Sequence, residues 1–256
     1  MKIKFLLASA IAALIALSSC KKDDAATPAT GTPGHSKKLK KVTRTETGTS
    51  TVYNLTYDAA GKLLSYRNGS NTEYVLFTYN AQGNLTGIEE KEAEFKNIYS
   101  YTYQNNMPVS GILKSWKLVA GQPDELIEDD RLTYTVRNNQ VSKIKLDMLQ
   151  AGETVNLLLT YTNGNLTKVV SDGQFPYTAN FSFGTQRSAF PKVSNYVLDQ
   201  AGFSLQFACN NDMLSASLDF PGTTFDKTIN TQYTYDAAGY VITSNDGDMQ
   251  MIFEYQ

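Results

Sequence analysis

Two cysteines, one histidine and one tryptophan in 256 residues leave little material for several common chemistries. The histidine, His35, stands between Gly34 and Ser36 in a stretch with almost nothing to bury. A general base must be held in fixed geometry by packed neighbours, so this placement argues against a Ser-His-Asp or Cys-His arrangement and against histidine-ligated zinc. An excess of positive charge is also missing from the body of the chain. From Val42 onward there are 15 Lys and Arg against 23 Asp and Glu, a net of -8 that the whole-chain value of -2 conceals. Nucleic acid requires a basic footprint, so it is not an expected partner. If the protein is an enzyme, carboxylates are left to carry the chemistry.

The apolar run from Phe5 to Leu17 follows Lys2 and Lys4 and ends in Leu17-Ser18-Ser19-Cys20. Thirteen residues are too few to cross a bilayer core of roughly 30 Å, and a charged start, an apolar stretch and small residues before a cut mark a secretory leader. Leu17 three positions before the cysteine, followed by two serines, resembles the lipobox of bacterial lipoproteins. That resemblance implies that residues 1–19 are removed and Cys20 is lipidated, leaving Cys209 without an intramolecular partner. Beside Phe207 and Ala208, Cys209 reads as a buried small apolar residue.

Residues 20–41 then read as a lipidated cysteine and a disordered tether, rich in Lys, Asp, Ala, Thr, Pro and Gly. Twenty such residues reach roughly 25 Å as a flexible coil. Six lysines against two aspartates give this stretch a net of +4, suited to anionic headgroups. Lys21-Lys22-Asp23-Asp24 resembles the export signal of bacteroidete surface lipoproteins, which implies an outer-membrane protein on the cell surface; read as a plain solvated charge run, it leaves the protein on the periplasmic face.

Residues 42–256 form one expected domain with a repeated pattern. It appears as Leu55-Thr56-Tyr57, Phe77-Thr78-Tyr79, Tyr101-Thr102-Tyr103, Leu132-Thr133-Tyr134, Leu159-Thr160-Tyr161 and Tyr233-Thr234-Tyr235, with Phe253-Glu254-Tyr255 closing the chain. A period of two puts each Tyr and the residue two before it on one sheet face, with Thr on the other. Turn chemistry follows, as in Asp58-Ala59-Ala60-Gly61, Asn80-Ala81-Gln82-Gly83 and Asp236-Ala237-Ala238-Gly239. Tyr57, Tyr79 and Tyr103 are 22 and then 24 residues apart, room for two strands and two turns per unit. The expectation is an all-β antiparallel meander of about fifteen strands, because short connections cannot join parallel neighbours.

The units Tyr57-Asp58-Ala59-Ala60-Gly61-Lys62-Leu63 and Tyr235-Asp236-Ala237-Ala238-Gly239-Tyr240-Val241 resemble the YD repeats of the Rhs family. With the lipobox, the chain resembles a bacteroidete family of outer-membrane lipoproteins, without an assigned function, built on YD-like repeats and described as porin-like in fold. The resemblance implies a curled sheet and no activity. A sheet with one apolar face must close into a flattened barrel or fold into a sandwich. Since fifteen strands enclose more space than side chains can fill, a plug is expected. Gly173 to Lys227 breaks the repeat, carries Pro176, Pro191 and Pro221, and supplies that plug, with a short helix opening at Tyr196-Val197-Leu198.

Asp124, Glu125, Glu128, Asp129 and Asp130 lack the spacing of a calcium ladder and read as a solvated charged loop. Asn245-Asp246-Gly247-Asp248 reads as a hairpin turn. Neither a metal nor a cofactor is expected. Trp116, on a strand from Val109 to Val119 between Lys114 and Lys117, has two readings, a core residue and an exposed platform for a sugar ring. The function expected is a noncatalytic, lipid-anchored β-protein of the outer membrane, held to the membrane by its N-terminal lipid and binding a glycan or another envelope protein. The alternatives are a carboxylate-based glycan-active enzyme, a surface glycan-binding module, and an integral barrel, which the polar Thr face disfavours.

Overall fold

The computed structural model describes residues 37–173, 176–199 and 203–256; the leader, Cys20, His35 and most of the tether lie outside them. Each hairpin of the described chain adds two staves to one continuous sheet. The first eight strands are β1 (Leu39–Glu46), β2 (Thr49–Tyr57), β3 (Leu63–Asn68), β4 (Tyr74–Tyr79), β5 (Leu85–Lys91), β6 (Phe95–Gln104), β7 (Met107–Lys117) and β8 (Glu125–Arg137). The next are β9 (Gln140–Met148), β10 (Glu153–Thr162), β11 (Asn165–Ser171), β12 (Tyr177–Arg187) and β13 (Asn211–Asp219). The last are β14 (Lys227–Asn230), β15 (Gln232–Tyr235), β16 (Val241–Asn245) and β17 (Met249–Tyr255). β14 pairs with β13 and β15 with β16, so one stave changes partner at Thr231. β17 pairs antiparallel with β1, closing the meander into a barrel.

Alternation sets the two faces. Inward residues such as Leu55, Phe77, Leu85, Ile88, Leu132, Ile144, Leu146, Leu157 and Phe253 are buried in one core. Each such side chain contributes about 1.5–3 kcal/mol at most, counted against an extended chain. The outward face carries hydroxyl pairs, Thr56 to Ser65 at 2.6 Å and Ser182 to Ser215 at 2.6 Å, and ion pairs, Lys41 to Glu254 at 2.5 Å and Lys114 to Asp129 at 3.3 Å. Val52, Ile112, Leu158 and Ile252 are exposed among these polar groups. No helix among the described residues is long and apolar enough to cross a membrane.

In five of the six Thr-Tyr repeats the register shifts between the Thr and the Tyr, at residues 56/57, 78/79, 102/103, 160/161 and 234/235. The repeat is therefore a β-bulge as well as a strand end, and bulges raise the local twist that a barrel rim needs. In the sixth the shift falls later, between Thr135 and Val136. Tyr134 thus stays deep in its strand, where its hydroxyl donates to the Leu198 carbonyl at 2.6 Å.

Leu198 belongs to the plug. Residues 188–199 and 203–210 leave the wall after β12 and fill the lumen, burying Val193, Val197, Leu198, Leu205 and Phe207. Phe207 packs edge-on against Phe77 at 5.1 Å and Phe190 at 5.4 Å. The plug is shorter than the expected span from Gly173 to Lys227. β12 and β13 keep a period of two through Ala179 and Phe181 and through Ala216 and Leu218, and serve as staves. Nor does a helix open at Tyr196; the helical turn is a 3-10 helix at Phe203–Phe207. Leu198 has its carbonyl taken by Tyr134 and its N–H by the Ser204 hydroxyl at 3.4 Å, so tertiary partners hold this backbone out of a helix.

A meander places alternate turns at opposite ends. The turns at 58–62, 80–84 and 236–240 lie at one end with the start of β1 and the end of β17, where Lys38 and Gln256 exchange backbone hydrogen bonds at 2.9 and 3.1 Å. We call this the tether end. The turns at 47–48, 69–73, 92–94 and 246–248 lie at the far end. β1 opens at Leu39, three residues inside the expected tether, and Lys37 pairs with Asp236 at 2.5 Å.

Candidate functional site

Strand alternation turns several acidic residues into the barrel. On β5, Ile88 faces inward and so does Glu90, two residues on, 7% exposed. Asp246 follows β16 in the hairpin turn expected at 245–248, yet its side chain is folded under the turn and is 4% exposed. Its Oδ1 accepts the N–H groups of Met249 at 2.8 Å and Asp248 at 3.1 Å. Asp212, at the start of β13, accepts the Gln186 N–H at 2.9 Å and the Tyr235 hydroxyl at 2.7 Å.

These carboxylates line a cavity of about 450 Å³ between the plug and the wall. Glu46, Glu73, Glu92 and Asp246 of its lining stand at far-end turns, so it reaches the end away from the tether, while Asn211 and Asp212, beside Arg187 and Tyr235, extend the lining towards the tether end. Phe190 and Leu205 supply the plug side, and Met213, Met249, Met251 and Phe253 an apolar wall. Along one side Arg44 lies over the Tyr53 ring at 5.1 Å, and Tyr53 stacks on Tyr66 at 4.5 Å with planes 10° apart. The Arg44 guanidinium reaches Glu73 at 3.2 Å and Glu46 at 3.6 Å, and the Tyr53 hydroxyl donates to Glu73.

Burial penalises the charged form of these acids. It pushes Glu90 up to about 7, opposed by the hydrogen bond from Asn97, with Glu92 and Asp199 adding repulsion. It pushes Asp246 up to about 6 against two backbone hydrogen bonds. Asp212 is raised by the same cause despite its Tyr235 partner. Carboxyls in this range can exchange protons near neutrality or accept a cation.

The acids at 124–130 do not form a loop. All but Asp124 belong to β8, and alternation divides them: Glu128 and Asp130 point inward at 3% and 1% exposure, Asp129 points outward to Lys114, and Asp124 and Glu125 are exposed. Burial pushes Asp130 up to about 7, reinforced by Glu128 and Asp129. Among the described residues no cluster of three or more His, Cys, Asp or Glu is placed to hold a metal ion. Trp116 is half-buried on the outward face of β7, beside Lys96 of β6 and outside the core. Cys209 is a free buried thiol in the plug, bonded to the Leu205 carbonyl at 2.9 Å and pushed up to about 12 by burial. Glu90 was within reach of sequence reasoning through its spacing from Ile88; Asp246 was hidden by the strength of the Asn-Asp-Gly turn signal.

A model of the RHS repeat matches residues 57–90, the span holding the turns at Asp58 and Asn80 and the strands β3 and β4. No curated protein matches the chain. Among solved structures 27 chains match. A porin-like protein from Bacteroides vulgatus has a TM-score of 0.55 at 12% identity, covering 85% of this chain and 98% of its own. A porin-like protein from Bacteroides uniformis has a TM-score of 0.50 at 13% identity, with the same coverage. At such identities the likeness is one of fold: a porin-like β-barrel carrying an RHS repeat.

Proposed function

We propose that this chain is a lipid-anchored barrel of the outer membrane, displayed on the cell surface, that binds a small ligand in its acidic cavity without transforming it. The observation that carries the reading is the polarity of the barrel. The start of β1 and the Tyr-Asp turns share one end, and Glu46, Glu73, Glu92 and Asp246 of the cavity lining form a carboxylate rim at the other. A tether anchored at Cys20 would leave that rim facing outward. The hydroxyls and ion pairs of the outer wall support a barrel standing in water on its tether rather than one embedded in lipid.

Mass spectrometry of the membrane fraction is expected to find a diacylglyceryl group on Cys20, and Cys20→Ser to release the protein. Protease treatment of intact cells is expected to remove the barrel; survival until the outer membrane is permeabilised would assign it to the periplasmic face. A second reading, a carboxylate-based glycan hydrolase, is favoured by one observation: Glu90 and Asp246, both raised, line the same cavity. Hydrolysis of surface glycans lost in Glu90→Gln and Asp246→Asn would establish it over binding. Trp116 offers a separate place on the outer wall for a glycan or an envelope partner. Quenching of its fluorescence by a polysaccharide, abolished in no cavity variant, would locate such a contact there.

A further inference from the structure

Three polar groups inside the cavity lack full partners within the protein. The Ser244 hydroxyl, on a residue 2% exposed and facing inward on β16, has no hydrogen bond among the described residues. Asp246 spends Oδ1 on two backbone groups and leaves Oδ2 free. Glu90 receives Asn97 on Oε2 at 3.0 Å and leaves Oε1 free. All three open onto the cavity, since the fully enclosed atoms without a partner among the described residues lie elsewhere, at Arg67, Tyr101, Asp130 and Tyr161. What the lining leaves open is acceptor positions that a ligand's donors can reach.

It also lacks positive charge. Six carboxylates line it, Glu46, Glu73, Glu90, Glu92, Asp212 and Asp246, against Arg44 and Lys91. Arg44 is already engaged by Glu46 and Glu73. A bare metal ion does not fit, because no three ligating groups converge among the described residues. A sugar has no open ring to stack on along this wall, since Tyr53 is covered by Arg44 on one face and Tyr66 on the other. Met249, Met251 and Phe253 line the same cavity, adaptable apolar surface suited to methylene chains. The volume of about 450 Å³ lies in the ordinary range for small-ligand pockets.

We infer that the cavity takes an elongated organic polycation of the polyamine class, its ammonium groups on Glu90 and Asp246 and its methylene stretches against the methionine wall. Glu92 and Asp199 are the charges that act on Glu90, and Asp248 and Glu46 those that act on Asp246, so the two acids stand apart and suit a ligand whose charges are themselves spaced apart. The inference rests on the reading of this cavity as a binding site and adds the ligand class.

The test is calorimetric titration of the full chain with spermidine, beside 1,8-octanediol as an uncharged chain, Mg²⁺ as charge without a chain, and neutral oligosaccharides. Spermidine is expected to bind saturably, and Glu90→Gln and Asp246→Asn each to weaken it by about tenfold or more, as loss of one partner of a desolvated charge pair does. Glu254→Gln, on the outer wall, is expected to leave it unchanged. Thermal melts guard against misfolding, since removing a buried carboxylate at Glu90 is expected to raise the melting temperature at slightly alkaline pH. Absence of spermidine binding overturns the inference, as does equal binding of octanediol or Mg²⁺, or variants that bind like the parent. An oligosaccharide that binds and is displaced by Ser244→Val, with spermidine inert, overturns the ligand class while leaving the binding site intact.

Discussion

The Tyr79 hydroxyl donates to the Leu63 carbonyl at 2.8 Å, linking the end of β4 to the start of β3. The β3–β4 ladder ends at Ser65 and Leu76, so the carbonyl lies beyond the last backbone partner on that side. The same device recurs from Tyr57 to Leu39 at 2.5 Å and from Tyr255 to Val241 at 2.9 Å. Strands splay apart at the tether end, and tyrosine hydroxyls satisfy the carbonyls that splaying strands. Tyr79→Phe is expected to cost about 1 kcal/mol, the usual net worth of one such bond. Tyr161 occupies the same repeat position, but its buried hydroxyl has no partner among the described residues. Tyr161→Phe is therefore expected to be neutral or stabilising. Thermal unfolding of the two variants compares identical chemistry at equivalent positions, and equal losses would refute the account.

Gly83 sits at φ +84°, and a Cβ there would collide with the ammonium of Lys62, which lies 5.2 Å over the Tyr79 ring. Gly121 has φ +73° with open space around it. Both Ala variants carry the left-handed backbone penalty of about 1–2 kcal/mol. Gly83→Ala is expected to lose more, because it also dislodges a cation from a tyrosine face. Denaturant titration of the pair measures the difference.

The strands, the Thr-Tyr repeats and the hairpin at Asp246 were legible because a period of two and turn residues are local signals; the bulges within the repeats were not. The plug was legible as an interruption but not in its bounds. Residues such as Ala179, Phe181, Ala216 and Leu218 keep strand alternation without the Thr-Tyr signature, so the break in the repeat is longer than the break in the wall. The cavity was not legible. Glu89, Glu90 and Lys91 are consecutive charged residues of which Glu90 alone is buried inside, and its spacing from Ile88 was the one local sign of it. Likewise Glu128 and Asp130 part from Asp129 only once β8 is known to be a strand.

Phe207 holds the plug in the lumen between Phe77 and Phe190, at 1% exposure. Phe207→Ala removes the ring from between Phe77 of β4 and Phe190 at the opening of the plug, leaving a space that the wall strand cannot close over. It is expected to cost about 3–5 kcal/mol. If the plug docks as a unit, limited proteolysis should cut this variant within 188–210 before the wall yields. Simultaneous loss of wall and plug would show that the two fold as one cooperative structure.

The buried carboxylates set the direction of the pH dependence. Glu90 and Asp130 are pushed up to about 7 and Asp246 to about 6, from ordinary values of 4.5, 3.8 and 3.8. A carboxyl with a raised folded-state pKa binds protons more tightly in the folded protein than in the unfolded chain. Its contribution is fully present below the unfolded pKa and is lost as pH rises toward the folded one. Each unit of separation is worth about 1.4 kcal/mol per group, before allowance for relaxation. Glu89, Asp147, Asp172 and Asp236 are lowered and act the other way, but they lie where solvent screens them and weigh less. The melting temperature is therefore expected to fall between about pH 4.5 and pH 7, and to level off above it. Glu90→Gln should flatten the upper part of that decline and raise the melting temperature at its alkaline end, while Glu254→Gln, on the outer wall and absent from the charges that act on these acids, should leave the profile in place. A profile that rises across the same interval would mean these acids are ionised and paired in the folded protein, contrary to the geometry around Glu90.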